Sequence, residues 1–133
     1  MKRVLVVEDD PHNALLFKKL LERRGGFAVE VTESAPRVFE VVRSGGADLV
    51  ILDVSLVNTT WEGRAINGIE LCQLLKRDET IPRVPIVLAT AHAMRGDAEN
   101  FVESSGADGY VSKPILDHAA FVTHMQKMLD EAA

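Results

Sequence analysis

Five short apolar runs recur along the chain, each followed by a stretch of helical character, and this alternation restricts the possible folds more than any other feature. The runs are Val4-Leu5-Val6-Val7, Phe27-Ala28-Val29-Glu30-Val31, Leu49-Val50-Ile51-Leu52-Asp53, Ile86-Val87-Leu88-Ala89-Thr90 and Tyr110-Val111-Ser112. The third is aliphatic at four successive positions, the pattern of a strand buried on both faces. Parallel strands need crossover connections, which are right-handed and are supplied by helices. The chain is therefore predicted to be a doubly wound, flavodoxin-like α/β sandwich, with five parallel strands in the order 2-1-3-4-5 and five helices on both faces.

The helix signals are local. Asp10 followed by Pro11 opens a first helix, in which Leu15, Leu16 and Leu20 separate from Lys19 and Arg23. Gly25-Gly26 ends it, and Ser34 with Pro36 opens a second helix carried by Val38, Phe39, Val41 and Val42. A third helix is predicted over 69–77 and a fourth over 95–105. A last helix begins at Asp117, with Phe121, Val122, Met125, Met128 and Leu129 facing inward.

The length of 133 residues fits one domain over 1–133. The net charge of -5 argues against a nucleic-acid backbone as partner and favours a bound cation. No apolar run approaches the roughly 20 residues that cross a bilayer. With a strand beginning just after Met1-Lys2-Arg3 and a single cysteine, Cys72, the expected compartment is the cytoplasm. Cys72 sits in a helical core pattern.

In a sheet of this type, ligands bind beyond the carboxyl ends of the strands. Glu8-Asp9-Asp10, Asp53, Thr90 and Lys113 follow the first, third, fourth and fifth strands, so all converge on that edge. Crowded carboxylates repel one another unless a proton or a hard cation neutralises them, and Mg2+ suits oxygen ligands. Asp9 and Asp53 suit direct coordination, Glu8 or Asp10 could hold a coordinated water, and Asp10 also suits a helix N-terminus. A metal beside a carboxylate poises it as a nucleophile toward phosphorus. Phosphoryl transfer then calls for a cation and a hydroxyl, which Lys113 and Thr90 supply.

Glu8-Asp9 closing one strand, Asp53 closing an aliphatic strand, Thr90-Ala91 after the fourth and Lys113-Pro114 after the fifth together resemble the receiver domains of two-component response regulators, over essentially the whole chain. The resemblance implies that Asp53 is the phosphoacceptor and that Glu8, Asp9, Asp53 and the backbone carbonyl of Ser55 form an Mg2+ site. It implies that Lys113 contacts the phosphoryl group, that Thr90 moves toward it with Ala91 beside it, and that Tyr110 changes rotamer in response. It further implies a cis peptide at Pro114. Ser55 and His92, two residues after Asp53 and Thr90, fall where the family tunes acyl-phosphate lifetime. The residues Ala93-Met94-Arg95-Gly96-Asp97 resemble those of stand-alone cell-division receivers.

The family reading makes the chain a signalling switch. A histidine kinase or phosphotransfer protein is the phosphoryl donor and an unidentified protein is the target. The face of the fourth helix, fifth strand and fifth helix is the docking surface, and the chain is a monomer or a weak homodimer through it. Because the chain ends at Ala133, soon after the last helix, output is expected through protein binding. A phosphorylation-independent docking module and an aspartate-based Mg2+ phosphatase are the alternatives, the latter disfavoured by Ser55 where such enzymes carry a second Asp. The chain departs from the family after Asp53. Val57 stands at the usual proline position and Gly68 at the usual glycine, which lengthens the loop over 57–67 by about seven residues, and loops this long are often functional. Within it, Trp61 and Arg64 either contact a partner or partly cover the phosphorylation site, or belong to a tolerated surface insertion with Trp61 folded onto the third or fourth helix.

Overall fold

A computed structural model describes residues 1–91 and 97–132. In chain order the elements are β1 (Arg3–Val7), α1 (Pro11–Arg23), β2 (Ala28–Thr32), α2 (Ala35–Arg43), β3 (Leu49–Asp53), β4 (Thr60–Trp61), β5 (Arg64–Ala65), α3 (Gly68–Arg77), β6 (Ile86–Thr90), α4 (Asp97–Ser105), β7 (Gly109–Ser112) and α5 (His118–Ala132). The main sheet has the order β2-β1-β3-β6-β7. All of its pairings are parallel. With the small β4–β5 hairpin left out of the count, this is the predicted order 2-1-3-4-5.

Alternation along the central strands divides the core between the two faces of the sheet. Val4, Val6, Leu49, Ile51, Val87 and Ala89 turn toward α1 and α5, where they meet Phe17, Leu21, Phe121 and Met125. Leu5, Val7, Val50, Leu52, Ile86 and Leu88 turn toward α2 and α3, where they meet Val38, Phe39, Leu71 and Cys72. Phe101 of α4 packs against this second cluster. All five residues of β3 are buried. The apolar run of the sequence is thus the central strand.

The helix starts follow the local chemistry. Asp10 caps α1, accepting from the N–H groups of His12 and Asn13. Ser34 caps α2, and Asn67 with Glu70 forms a reciprocal capping box on α3. Asp117 accepts from Ala120 N–H at 2.9 Å, which places it just outside α5. Leu15, which periodicity assigns to the apolar side of α1, is instead 51% exposed, because Phe17, Leu20 and Leu21 take the buried positions. No helix among the described residues is long and apolar enough to cross a membrane.

Candidate functional site

The carboxyl ends of β1, β3, β6 and β7 bring the site residues together. Glu8 N–H donates to Thr32 O at 3.1 Å, prolonging the β1–β2 ladder by one residue and keeping the Glu8 side chain inside. Asp9 is the next residue and is half-buried. Asp10 has turned away to cap α1. Asp53 closes β3 in register with Ala89 and is 4% exposed.

Lys113 reaches this group from beyond β7. Its main-chain N–H donates to Thr90 O at 2.8 Å, and its Nζ donates to Asp53 Oδ1 at 2.8 Å and to Glu8 Oε1 at 3.2 Å. Ser55 N–H donates to the same Asp53 oxygen at 3.2 Å. The Lys113–Pro114 peptide is cis.

The electrostatics follow from two buried acids sharing one ammonium. Burial foremost, and then Asp53 beside it, push the Glu8 carboxyl up to about 7 against the lowering pull of Lys113. For Asp53 burial also opposes ionisation, yet the hydrogen bonds with Glu8 and Lys113, the Lys113 charge and the Ser55 N–H together hold its carboxyl below the ordinary value. Lys113 is desolvated too, but its two carboxylate partners raise its pKa. Of the two acids, Asp53 is the one whose surroundings favour the carboxylate.

Glu8 Oε2 is buried without a hydrogen-bond partner among the described residues. One carboxylate oxygen from each of Glu8, Asp9 and Asp53 lies within 4.8 Å of the others. A set of hard oxygen donors with one unsatisfied buried oxygen suits a hard divalent cation. The residues present thus fit such an ion.

Thr90 ends β6, is 1% exposed and pairs in register with Ser112. Ala91 follows it and is exposed. Tyr110 is half-buried on β7, and its hydroxyl donates to Glu99 Oε1 of α4 at 3.3 Å. His92 lies outside the described residues, as do Ala93, Met94, Arg95 and Gly96, including the first two positions predicted for the fourth helix.

The segment after Asp53 is more ordered than a simple loop. Thr60–Trp61 and Arg64–Ala65 pair antiparallel, with Glu62 and Gly63 both at positive φ between them. Two left-handed residues in succession make the tight turn whose twist suits a two-residue hairpin. Trp61 stacks on Phe39 of α2, with ring centroids 4.2 Å apart, so it is folded onto the second helix rather than the third or fourth. Arg64 is exposed and pairs with Glu70 of α3 at 3.2 Å. Thr59 Oγ1 donates to Glu33 O at 2.8 Å, and Val57 N–H donates to Asp9 Oδ2 at 2.8 Å.

Gly68 restores the chain to the sheet at the start of α3. A Cβ at this position would lie 1.9 Å from Asp53 O, so only glycine allows the helix to approach the strand end so closely. Sequence reasoning missed the Val57 and Thr59 contacts and the Glu99 partner of Tyr110. The Trp-Glu-Gly-Arg turn carries a weak hairpin signal in its glycine, but the other contacts have no local signature.

Comparisons with known proteins agree with one another. The response regulator receiver domain model matches residues 4–126. The chain is 33% identical over 114 residues to the polar-differentiation response regulator DivK of Brucella ovis, across 86% of this chain and 85% of that one. The receiver domain of the TMAO respiratory system response regulator TorR superposes with a TM-score of 0.77 at 27% identity, covering 100% of both chains. The receiver domain of the sensor histidine kinase PA1611 from Pseudomonas aeruginosa PAO1 gives a TM-score of 0.78 at 25% identity, covering 97% of this chain and 98% of that one. The structure of that domain has a magnesium ion coordinated in its active-site cleft.

Proposed function

The chain belongs to the response regulator receiver domain family, and from that premise we propose that it is a phosphorylation-dependent signalling switch whose phosphoacceptor is Asp53. The donor is a phosphohistidine of a histidine kinase or phosphotransfer protein. The observation that carries this reading is the buried Asp53 carboxylate with the Lys113 ammonium 2.8 Å from its Oδ1 at the mouth of the sheet.

In the transfer, an Asp53 oxygen forms a bond to phosphorus as the phosphorus–nitrogen bond of the donor breaks. The imidazole leaves with the bonding pair and regains a proton. Lys113 shifts part of its hydrogen bonding from the carboxylate to the phosphoryl oxygens, so charge is matched without a new group being recruited. Glu8, Asp9, Asp53 and the main chain of Ser55 would hold Mg2+. When bound, that ion neutralises phosphoryl charge and orients the incoming group.

The new dianion attracts the Thr90 hydroxyl. Tyr110 then releases Glu99 and packs inward, biasing β6, α4, β7 and α5 toward a second arrangement. Ser55 and His92 tune the phosphate lifetime on this reading, with Ala91 at the rim. Output is a protein docked on the α4–β7–α5 face, on whose β7–α5 side Tyr110, Val111, Pro114, Ile115, Phe121 and His124 line an open groove of about 600 Å³. The same face serves any weak homodimer. On the hairpin, Arg64 is the part open to a partner, since its side chain is 67% exposed while Trp61 is taken up by Phe39. The cytoplasm is the setting in which such a donor is met.

Incubation with Mg2+ and acetyl phosphate, followed by intact mass, tests the proposal. The expected result is a gain of one phosphoryl group that Asp53→Asn abolishes. No gain under saturating donor overturns it.

A further inference from the structure

The three clustered acids are not held alike. Lys113 secures Glu8 and Asp53, both almost fully buried. Asp9 is half-buried, and the hydrogen bond that reaches its carboxylate comes from Val57 N–H at 2.8 Å. That donor belongs to the segment that leads into the hairpin. Val57 is 74% exposed, so packing of its own does not hold the residue in place.

Its neighbours do. Leu56 before it is 5% exposed, and Thr59 after it is 1% exposed with its hydroxyl on Glu33 O. Ile66 N–H closes back onto Thr59 O at 3.0 Å, and Trp61 rests on Phe39. The direction of the Val57 amide is therefore a product of the hairpin as a whole. Had residue 57 been proline, which the family resemblance leads one to expect, there would be no N–H to donate.

We propose that the hairpin insertion is a positioning element for the metal-holding acid Asp9, with Val57 as the positioning residue through its main-chain N–H. The bond fixes the Asp9 carboxylate beside Glu8 and Asp53 before a hard divalent cation arrives. Less side-chain freedom is then lost on binding, and the ion is held more tightly. This rests on the Mg2+ site described under Proposed function.

Calorimetric titration of the full chain with Mg2+ tests it. Val57→Pro removes the donor, and Val57→Ala retains it while trimming the side chain. Groups that orient a metal ligand typically govern affinity by an order of magnitude or more, so Val57→Pro is expected to weaken Mg2+ binding about 10-fold and Val57→Ala by less than about twofold. Thr59→Val, which frees the hairpin from Glu33, is expected to weaken binding in the same direction and by less. Equal affinity in a folded Val57→Pro and in Val57→Ala overturns the inference.

Should Val57→Pro misfold, amide hydrogen exchange decides instead. The Val57 N–H is expected to exchange slowly in the unaltered chain and rapidly in Asp9→Ala. Exchange indifferent to that change overturns the inference. Failure of the unaltered chain to bind Mg2+ overturns the functional proposal and this inference with it. Binding that is unchanged by loss of the Val57 donor overturns this inference alone.

Discussion

Lys113 Nζ lies 2.8 Å from Asp53 Oδ1 although 60 residues separate the two in the chain. The same nitrogen is 3.2 Å from Glu8 Oε1, and all three side chains are nearly out of solvent. One ammonium thus serves two buried acids. Removing one partner of such a group leaves uncompensated charge, so Lys113→Met is expected to destabilise the metal-free protein by about 3 kcal/mol. Proton uptake by Glu8 offsets part of this. Added Mg2+ should raise the melting temperature of Lys113→Met more than that of the unaltered chain, as thermal unfolding with and without the ion will show.

Tyr110 offers a clean titration because it is the only tyrosine in the chain. The charge of Glu99, followed by the hydrogen bond to it, raises the phenol above its ordinary value of 10. Glu99→Gln removes the charge and is expected to return the titration toward 10, read by the absorbance of the phenolate. An unchanged titration would mean that the Tyr110–Glu99 contact does not hold the ring outward in solution.

Gly68→Ala places a methyl group 1.9 Å from Asp53 O, against backbone that cannot swing aside. Either α3 moves away or the end of β3 does, with an expected loss of about 3 kcal/mol or more. Urea unfolding measures the loss. Phosphoryl acceptance is expected to fall along with stability, since the displaced backbone carries Asp53 itself.

Acid stability depends on Asp78 at the end of α3. Hydrogen bonds from Thr80, then Arg43, bring its carboxyl down from the ordinary 3.8 to about 2. A carboxyl with a lowered folded pKa adds stability that is complete above its unfolded value and disappears as pH falls through the folded one. Asp78→Asn is therefore expected to be less stable than the unaltered chain above pH 4, with the difference shrinking as pH falls toward 2. Denaturant unfolding across that window checks the sign.

Much of the site was readable before folding was considered. Because the strands are parallel, their carboxyl ends share one edge of the sheet, so Glu8, Asp53, Thr90 and Lys113 had to meet there. Capping is equally local, since Asp10, Ser34 and Asn67 bond within three residues of themselves. Leu15 shows the limit of periodicity. A helical repeat marks a stripe, and the sheet decides which edge of that stripe stays in water.

The sequence by itself determined the order of the elements and the convergence of the acidic and basic groups, because both depend on short-range patterning and on the handedness of crossovers. Only the tertiary structure decided the rest. Trp61 chose Phe39, Tyr110 found Glu99, and Val57 N–H came to face Asp9, through contacts between different elements of the folded chain. Such contacts are selected by shape, charge and unpaired backbone groups in the assembled fold, and no residue spacing encodes them.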